Sequence, residues 1–366
     1  MIHVAQVNVV QPRKRVEPER LLDDWPTLGD IATATHRAGA NVSVFQAFHR
    51  NAEIVRDQVA YRFVADPCLP GRVTGLRPGR LARAVREAAP DVIHLNGLDF
   101  ARHARALCRT GIPVLVQDHA SIAGAGGWRR RRGLRDIAGA AFTSSDQGRA
   151  FIEAGELRTD TQIFAVPESS THFIADGPAA ADMPGNPVVL WVGRLDANKD
   201  PLTILDAIEL ATRELPRVQL YCCFHDQPLL AEVRTRIEQS SYLAKRVYLI
   251  GRMPHAEIES RLRAADFFML GSHREGSGYA LIEALACGAT PIVTDIAPFR
   301  ALAGPIGALV PPGDAKSFAD ALVSLAARPR AELRQQAIAR FESALSFDRV
   351  GARLCEIYEI VVRRGA

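Results

Sequence analysis

The chain has 366 residues, of which 48% are hydrophobic and 23% are charged, and its formal net charge at pH 7 is +4. This composition excludes a disordered chain, a collagen-like fibre and a small disulfide scaffold, and the length indicates about two domains. The sequence has no run of about 18 apolar residues, so we predict no membrane-spanning helix.

Strand and helix patterns alternate through the first half. The predicted strands are 2–9, 41–46, 91–95, 113–116, 140–144 and 162–166, and predicted helices include 28–38 and 101–109. This alternation indicates a doubly wound α/β domain with a parallel sheet. The segment 173–186 is rich in Ala, Gly and Pro, which is typical of an interdomain linker.

The alternation restarts after this segment. The predicted strands of the second half are 187–192, 218–224, 247–250, 267–270, 290–293 and 308–310. We therefore expect two Rossmann-like halves. Because open parallel sheets bind ligands beyond the carboxyl ends of their strands, we expect a central cleft between the halves, with functional residues in the loops after strands.

The cysteines and the N-terminal residues 1–7 indicate the cellular compartment. The six cysteines are Cys68, Cys108, Cys222, Cys223, Cys287 and Cys355. They form no CxxC pair, so we expect reduced, mostly buried thiols and no metal site. Residues 1–7 have the pattern of a strand and not of a signal peptide. We therefore expect a cytoplasmic protein.

Two cations lie on a predicted strand-to-helix loop in the second half. Arg194 and Lys199 follow Gly193, which permits close backbone approach, and Asp200 with Pro201 favours a helix start. Such a pair suits a diphosphate, because each charge-assisted hydrogen bond contributes about 1.5–3 kcal/mol. Two solvated loop cations are the alternative interpretation.

Two glutamates flank the start of another predicted helix. Glu275 precedes the helix and Glu283 lies within it, and eight residues at helical rise span about 12 Å, the scale of a nucleotide sugar. The amides of Ser277, Gly278 and Tyr279 would bind a phosphate between them. The alternative for Glu283 is an exposed helix glutamate, but its apolar neighbours look buried, so its carboxylate needs partners.

Several spaced motifs, in order from about 187 to 358, resemble the nucleotide-binding half of glycosyltransferase family 4 (group 1). They are Gly193-Arg194-Leu195 with Lys199, Gly251-Arg252-Met253, Ala264-Ala265-Asp266, the glutamate pair, Val310-Pro311-Pro312-Gly313-Asp314 and the final helix around Tyr358. The resemblance implies the GT-B fold, with an N-terminal acceptor-side domain, a nucleotide-sugar domain and a C-terminal helix that packs back toward the N-terminal domain. We place their boundaries at 1–172, 187–345 and 346–366.

The resemblance also implies roles for individual residues. In the family, the arginine and lysine matched here by Arg194 and Lys199 bind the diphosphate. The residue matched by Glu283 binds ribose, the one matched by Glu275 binds the transferred sugar, and backbone near Met253 contacts the base. Ser277, Gly278 and Tyr279 would complete the donor site.

The first half resembles the family more weakly. Val114–His119 is similar to a family strand that ends in a histidine near the donor sugar and phosphate, so His119 is the candidate catalytic residue of this half. A structural histidine is the alternative, and we expect His94 to be structural.

Three positions depart from the family pattern. The loop after the first strand, residues 8–15, lacks the frequent Gly-Gly and offers Arg13 or Arg15 to an anionic group. Ser277 replaces a frequent aromatic residue, and Glu168 follows Val-Pro where the family often has Asn-Gly. These departures leave the sugar and the acceptor undetermined.

The activity implied by the resemblance is retaining sugar transfer from a UDP-, GDP- or ADP-sugar, with no cofactor and no metal. His119, Glu275, Arg194 and Lys199 are the candidate catalytic residues, and polysaccharide or glycolipid synthesis is the expected context. The alternatives are a nucleotide-sugar epimerase of the same fold and a non-catalytic nucleotide-sugar-binding protein. A dehydrogenase is disfavoured, because no GxGxxG follows the first strand.

Positive charge is concentrated in residues 72–135, which hold 13 Lys and Arg against 4 Asp and Glu. The run Arg129–Arg132 predicts contact with an anionic or lipid-linked acceptor, or peripheral contact with the inner face of the cell membrane, at about 1 kcal/mol per basic residue. A solvated basic face is the alternative. Nucleic acid is not expected as a partner, because no reader motif accompanies the arginines.

Overall fold

The computed structural model describes residues 1–68, 73–75, 77–119 and 121–365. The chain divides into two compact units, of which unit 1 comprises Met1–Ser169 with Phe347–Ala366 and unit 2 comprises Ser170–Ser346. Arg72, with which the basic stretch begins, lies outside the described residues.

Unit 1 is built on one eight-stranded sheet. Its strands are β1 (His3–Asn8), β2 (Asn41–Phe48), β3 (Ala52–Arg56), β4 (Val59–Ala65), β5 (Val92–Asn96), β6 (Val114–Gln117), β7 (Gly139–Phe142) and β8 (Gln162–Ala165). Its helices up to that point are α1 (Pro18–Asp24), α2 (Pro26–Arg37), α3 (Pro78–Glu87), α4 (Ala101–Cys108), α5 (Gly127–Gly133) and α6 (Ser145–Glu153). The strand order is β3-β4-β2-β1-β5-β6-β7-β8, and only the β3–β4 pairing is antiparallel among the named strands.

Side chains alternate between the two covered faces of this sheet. On β1, Val4 belongs to the core beneath α2, whereas Ala5 and Val7 belong to the core beneath α3 and α4. Gln6 is buried on the α2 side and donates to the Thr35 hydroxyl at 3.4 Å. This period of two is expected of a strand that is buried on both faces.

Unit 2 contains a six-stranded sheet whose pairings are all parallel. Its strands are β9 (Val188–Gly193), β10 (Gln219–Phe224), β11 (Val247–Gly251), β12 (Phe267–Leu270), β13 (Thr290–Thr294) and β14 (Ala308–Val310). Its helices are α7 (Pro201–Ala211), α8 (Leu230–Glu238), α9 (His255–Ala264), α10 (Tyr279–Ala286), α11 (Ala297–Ala303), α12 (Ala315–Ala326) and α13 (Arg330–Ala344). The segment 173–186 lies within unit 2, and its Phe173 and Met183 are buried in that core.

The last helix, α14 (Phe347–Gly365), returns to unit 1 and packs along α2. Its buried apolar side chains are those of Val350, Leu354, Ile357, Tyr358 and Val361. Gly351 allows the close approach, because a Cβ there would lie 2.4 Å from the Ala34 carbonyl oxygen. Burying each large apolar side chain contributes about 1.5–3 kcal/mol, so this helix is an integral part of unit 1.

Each sheet has a point at which the strand order reverses. The reversal lies between β1 and β5 in unit 1, and between β9 and β12 in unit 2. Loops at the carboxyl ends of such strands diverge and leave room for a ligand, so these two places are where functional groups are expected. No helix in the described part of the chain is long and apolar enough to cross a bilayer.

Candidate functional site

The loops after β9 and β12 of unit 2 are bonded to each other. The Asn198 carbonyl accepts from the backbone N–H of His273 at 2.8 Å, and its side-chain amide bonds to the Arg274 backbone at 3.0 and 3.1 Å. Gly271 makes room for this contact, because a Cβ there would lie 3.1 Å from the Asp200 carbonyl oxygen. The predicted diphosphate loop and the loop that carries Glu275 therefore form one rigid edge.

Lys199 and Glu275 meet at this edge. The Lys199 ammonium donates to Glu275 Oε1, which also accepts from the Ser272 hydroxyl at 2.9 Å. Their side chains are only 14% and 12% exposed, so each charge relies on the other for compensation. Asp196 Oδ1 fixes the Lys199 backbone N–H at 2.9 Å. The predicted diphosphate cation and sugar-binding carboxylate thus lie together.

Arg194 is the more exposed cation of the same loop. Its Nε lies 3.1 Å from Asp196 Oδ2, and half of its side chain, 49%, is exposed. A guanidinium carries five N–H donors, so one contact to Asp196 leaves most of its hydrogen-bonding capacity for an anion. Arg194 and Lys199 are therefore linked through Asp196, which contacts both residues.

Helix α10 begins beside Glu275, at a residue where only glycine fits. Gly278 is the N-cap with φ 66°, and a Cβ there would lie 2.5 Å from Leu302 Cδ1. Ser277 and Tyr279 stand on either side of it, and Tyr279 is 36% exposed. The first turn of a helix presents N–H groups that lack intrahelical partners, and the helix dipole favours an anion there.

Glu283 lies in the second turn of α10 and has a partner that the sequence did not identify. Its Oε1 is 2.8 Å from His255 Nε2, and the carboxylate side chain is 13% exposed. The His255 ring packs against Phe173 with centroids 4.5 Å apart. The hydrogen bond to Glu283 raises the pKa of His255, against the lowering effect of burial. The sequence feature that could have identified His255 is its position just after the Met253 loop.

Met253 is held by sulfur contacts within unit 2. Its Sδ lies 3.9 Å from Cys223 Sγ and accepts from Arg261 Nε at 3.0 Å. Arg261 is itself fixed by a two-armed ion pair to Asp182, at 2.9 and 3.2 Å. The predicted base-contacting loop is thus anchored to the neighbouring strand and helix. Across the described residues, no group of three or more His, Cys, Asp and Glu is arranged to hold a metal ion.

In unit 1, His119 follows β6 and is paired with Glu168. Its Nδ1 lies 3.3 Å from Glu168 Oε2, and the carboxylate side chain is 11% exposed. Burial lowers the pKa of His119, but the hydrogen bond and negative charge of Glu168 outweigh it and the pKa is raised. The residue that departs from the family pattern therefore supplies the partner of the candidate histidine, a pairing that the sequence did not predict.

His94 has a different environment from His119. It is fully buried, and its Nδ1 lies 2.7 Å from the Tyr358 hydroxyl of α14. Burial, together with the nearby His119, lowers the pKa of His94 to about 3, so the ring is neutral. Such a core histidine fits the predicted structural role.

The reversal point of unit 1 carries two asparagines that the sequence analysis did not select. Asn96 Nδ2 donates to Asn8 Oδ1 at 2.9 Å, and Asn8 Nδ2 makes no hydrogen bond within the described residues. The loop that follows Asn8 exposes Arg13 and Arg15. This edge therefore offers an amide donor and cations where the family often has two glycines.

The prediction that Arg129–Arg132 forms a surface contact is wrong for Arg130. Arg130 is buried, with ion pairs to Asp99 and, at 2.6 Å, to Glu156. Glu156 also accepts from the backbone N–H groups of residues 126 and 127, at 2.7 and 2.8 Å. One side of α5 must pack against the rest of unit 1, and Arg130 lies on that side because it pairs with the buried carboxylate of Glu156.

The other three arginines of the run are exposed. Trp128 beside them is 67% exposed, and the Arg129 guanidinium lies 5.6 Å from its ring centroid. An exposed aromatic ring among cations is typical of a surface that contacts an anionic interface.

Two family comparisons together cover most of both units. Residues 27–150 match the family described as Glycosyltransferase Family 4, and residues 186–328 match the family described as Glycosyl transferases group 1. The chain is a family 4 glycosyltransferase. The resemblance found from the motifs is confirmed.

Similar proteins of known activity include two kinds of mannosyltransferase. The chain is 27% identical over 282 residues to a GDP-mannose:cellobiosyl-diphosphopolyprenol alpha-mannosyltransferase of Xanthomonas campestris, covering 72% of each chain. It is 30% identical over 189 residues to a phosphatidyl-myo-inositol mannosyltransferase of Mycobacterium leprae, covering 49% of this chain and 48% of that relative.

A solved structure supports the GT-B fold. Anabaena Alr3699/HepE, determined in complex with UDP and glucose, aligns with a TM-score of 0.66 at 16% identity, over 98% of this chain and 100% of that one. At this identity the likeness concerns the fold.

Proposed function

We propose that this glycosyltransferase moves a sugar from a nucleoside diphosphate sugar to its acceptor with retention at the anomeric carbon and without a metal ion. The observation that carries the proposal is the Lys199–Glu275 pair, which lies beside Arg194 and the start of α10 where the strand order of unit 2 reverses. A compact cationic edge of this kind fits a diphosphate, with a carboxylate next to it for sugar hydroxyls.

In the proposed reaction the bond from the anomeric carbon to the diphosphate oxygen breaks. The acceptor oxygen bonds to the same face of the sugar, and the acceptor proton passes to the leaving diphosphate. Lys199, Arg194 and the α10 N-terminus offset the charge that grows on the leaving group, by electrostatic stabilisation and positioning. Glu283, held by His255, would bind the ribose, and His119 would contact the donor sugar or phosphate.

The names of the relatives and the surface chemistry of unit 1 support a choice of donor and acceptor to test. GDP-mannose is the first donor to test, because the Xanthomonas relative is named for it and the Mycobacterium relative is also a mannosyltransferase. The same relatives are named for a diphosphopolyprenol-linked and a phosphatidylinositol acceptor. Exposed Trp128, Arg129 and Arg132 support a lipid-linked acceptor and peripheral contact with an anionic membrane.

The experiment begins with thermal unfolding against GDP, UDP, ADP and their sugars. A ligand at 100 times its dissociation constant stabilises by about 2.7 kcal/mol, which is easily detected. The best donor is then incubated with lipid acceptors, and NMR of the product reports the anomeric configuration. We expect a retained anomer and an unchanged rate in EDTA; an inverted product or loss of activity in EDTA would contradict the proposal.

Two further outcomes would favour the other readings of this fold. If the donor alone is converted to an isomer without an acceptor, the enzyme is an epimerase. If calorimetry detects nucleotide binding but no acceptor supports turnover, the chain is a nucleotide-sugar-binding protein.

A further inference from the structure

A groove between α3 and α4 of unit 1 lies outside every residue assigned to sugar transfer. Its volume is about 490 Å³, which is within the usual range for ligand pockets. Its lining contains no carboxylate, and the charged residues in it are Arg83, Arg86, Arg102, Arg105 and Arg109.

Helix geometry places these arginines on the sides of α3 and α4 that line the groove. Arg102, Arg105 and Arg109 are spaced i, i+3 and i+7, which places them on one face of α4 and its C-terminal end. Arg83 and Arg86 are spaced i and i+3 on α3, which packs beside α4. Both helices bury an apolar face, so the arginines lie on the exposed sides that line the groove.

The guanidinium groups of these five arginines make no hydrogen bond and no ion pair with any residue that the structure describes. Elsewhere in the chain, Arg130, Arg236 and Arg261 are each held by carboxylates. Like charges on one helix face destabilise the helix, so five guanidinium groups around one groove repel each other. An anion bound there would remove this repulsion.

We propose that the α3–α4 groove binds a ligand that carries several phosphate groups. Guanidinium groups bind phosphate with paired, charge-assisted hydrogen bonds, and their planar fork suits phosphate better than a point charge does. Five of them in one groove match a polyanion better than a single carboxylate. The proposal concerns unit 1 alone; it extends the membrane contact of the proposed function and does not rest on the proposed donor or mechanism.

The phosphates come either from lipid headgroups or from a free polyphosphate, and the surroundings favour the lipid. Helix α4 also packs against α5. Trp128 on α5 and Ile122 just before it are 67% and 55% exposed. Exposed apolar side chains in the same unit as a cationic groove fit a bilayer interface, where apolar side chains enter the headgroup layer while arginines contact phosphates.

The test measures binding of the full chain to vesicles by sedimentation. One set is phosphatidylcholine with about one-third phosphatidylglycerol, and the other is phosphatidylcholine alone. The variant combines Arg102→Gln, Arg105→Gln and Arg109→Gln. The control combines Arg20→Gln, Arg56→Gln and Arg149→Gln, which removes equal charge from exposed positions elsewhere in unit 1.

We expect the anionic vesicles to bind wild type and the control within about twofold of each other. The groove variant should lose about fivefold per arginine, or roughly 100-fold in total. Equal losses in both variants, or no loss in the groove variant, would overturn the lipid assignment. Thermal unfolding of each variant separates lost binding from lost folding.

The second arm titrates pyrophosphate by calorimetry into protein carrying Arg194→Ala and Lys199→Ala, which removes the predicted diphosphate cations of unit 2. If the groove substitutions abolish pyrophosphate binding in this protein and leave vesicle binding unchanged, the groove binds a free phosphate compound. If wild type binds neither vesicles nor pyrophosphate, the proposal is wrong. Nucleotide binding by the groove variant tests the proposed function separately.

Discussion

Two cationic surfaces, one in each unit, differ in how their charges are compensated. In unit 2, Lys199 is paired with Glu275 and Arg194 with Asp196, so cations and carboxylates alternate along one edge. In unit 1, the arginines of the α3–α4 groove have no carboxylate partner among the described residues. Of the four arginines 129–132, only Arg130 pairs with Glu156.

This difference separates two kinds of anion recognition. Residues held by one another keep a fixed geometry, which favours a compact ligand and reduces the cost of ordering side chains on binding. Unpaired surface arginines favour an extended polyanion, because several anionic groups can each contact a guanidinium, and salt screens this attraction. We therefore expect substitutions at the Lys199–Glu275 edge of unit 2 to change turnover, and substitutions in α5 or the α3–α4 groove of unit 1 to change stability or surface binding.

The largest expected effect is on the stability of unit 1, through the Arg130–Glu156 pair that holds α5. Glu156→Ala would leave the N–H groups of residues 126 and 127 without their carboxylate, and the buried Arg130 with only the exposed Asp99 as its ion-pair partner. Removing one partner of a buried ion pair destabilises a protein by about 3–5 kcal/mol. Urea unfolding measures this loss. The exposed neighbour Glu153→Ala should change stability by less than about 0.5 kcal/mol, and a similar small change for Glu156→Ala would contradict the account.

The next largest effect concerns turnover at the unit 2 edge. Lys199→Ala should lower kcat about 100-fold or more, because it removes a cation from the growing charge of the leaving diphosphate and leaves Glu275 uncompensated. The matched control is Lys245→Ala, an exposed lysine of the same unit. Steady-state kinetics decide the matter: near-wild-type turnover in Lys199→Ala would remove the central residue of the proposed mechanism.

A pair of glycine substitutions isolates the start of α10. Gly278 and Gly313 have φ of 66° and 77°, but only at Gly278 would a Cβ meet another side chain, Leu302. Gly313→Ala should cost about 1 kcal/mol from backbone strain, and Gly278→Ala about 2 kcal/mol or more because of the added clash. Thermal unfolding compares them; equal losses would show that the contact with Leu302 relaxes freely.

Periodicity predicted most of the fold because both sheets follow the regular alternation of strand and helix. The β3–β4 hairpin was missed, since its two turn residues, Asp57 and Gln58, have φ of 51° and 64° without the glycine that usually marks such a turn. The short helix α5 was also not predicted, because the buried Arg130–Glu156 pair, and not an apolar stripe, holds this helix in place.

The candidate site was predictable where its residues share one loop or helix. Arg194 with Lys199 and Glu275 with Glu283 could each be selected from spacing and resemblance. Partners from other elements could not be selected in this way, because His255 and Glu168 lie 28 and 49 positions from the residues they contact. Strand order, which sequence spacing does not encode, brings those pairs together.

A smaller effect is expected at the His119–Glu168 pair of unit 1. Glu168→Gln removes the negative charge that raises the pKa of His119, so this pKa should fall. The stability that the pair supplies is complete below the unfolded pKa of histidine and is lost as pH rises through the higher folded pKa. NMR titration of His119 and the pH profile of kcat/KM measure the shift.

If charged His119 assists transfer, the falling limb of that profile moves to lower pH in Glu168→Gln. The exposed Glu153→Gln provides the control for the same change of charge in unit 1. An unmoved limb together with an unmoved His119 titration would mean that Glu168 does not set the protonation of this histidine.

The smallest effect is expected at His255, which positions Glu283 in unit 2. The pair holds one carboxylate oxygen at 2.8 Å, but the His255 side chain is 70% exposed, so its contribution is that of a screened surface pair, about 0.2–1 kcal/mol. His255→Asn should therefore raise the donor KM about two- to fivefold and leave kcat unchanged, as expected when a residue acts on binding in both ground and transition states. Because Glu283 raises the pKa of His255, wild type should approach the variant only as pH rises through that pKa. His225→Asn, another exposed histidine of unit 2, controls for the substitution itself. A fall in kcat with unchanged KM would place His255 in the chemical step instead of in ribose binding.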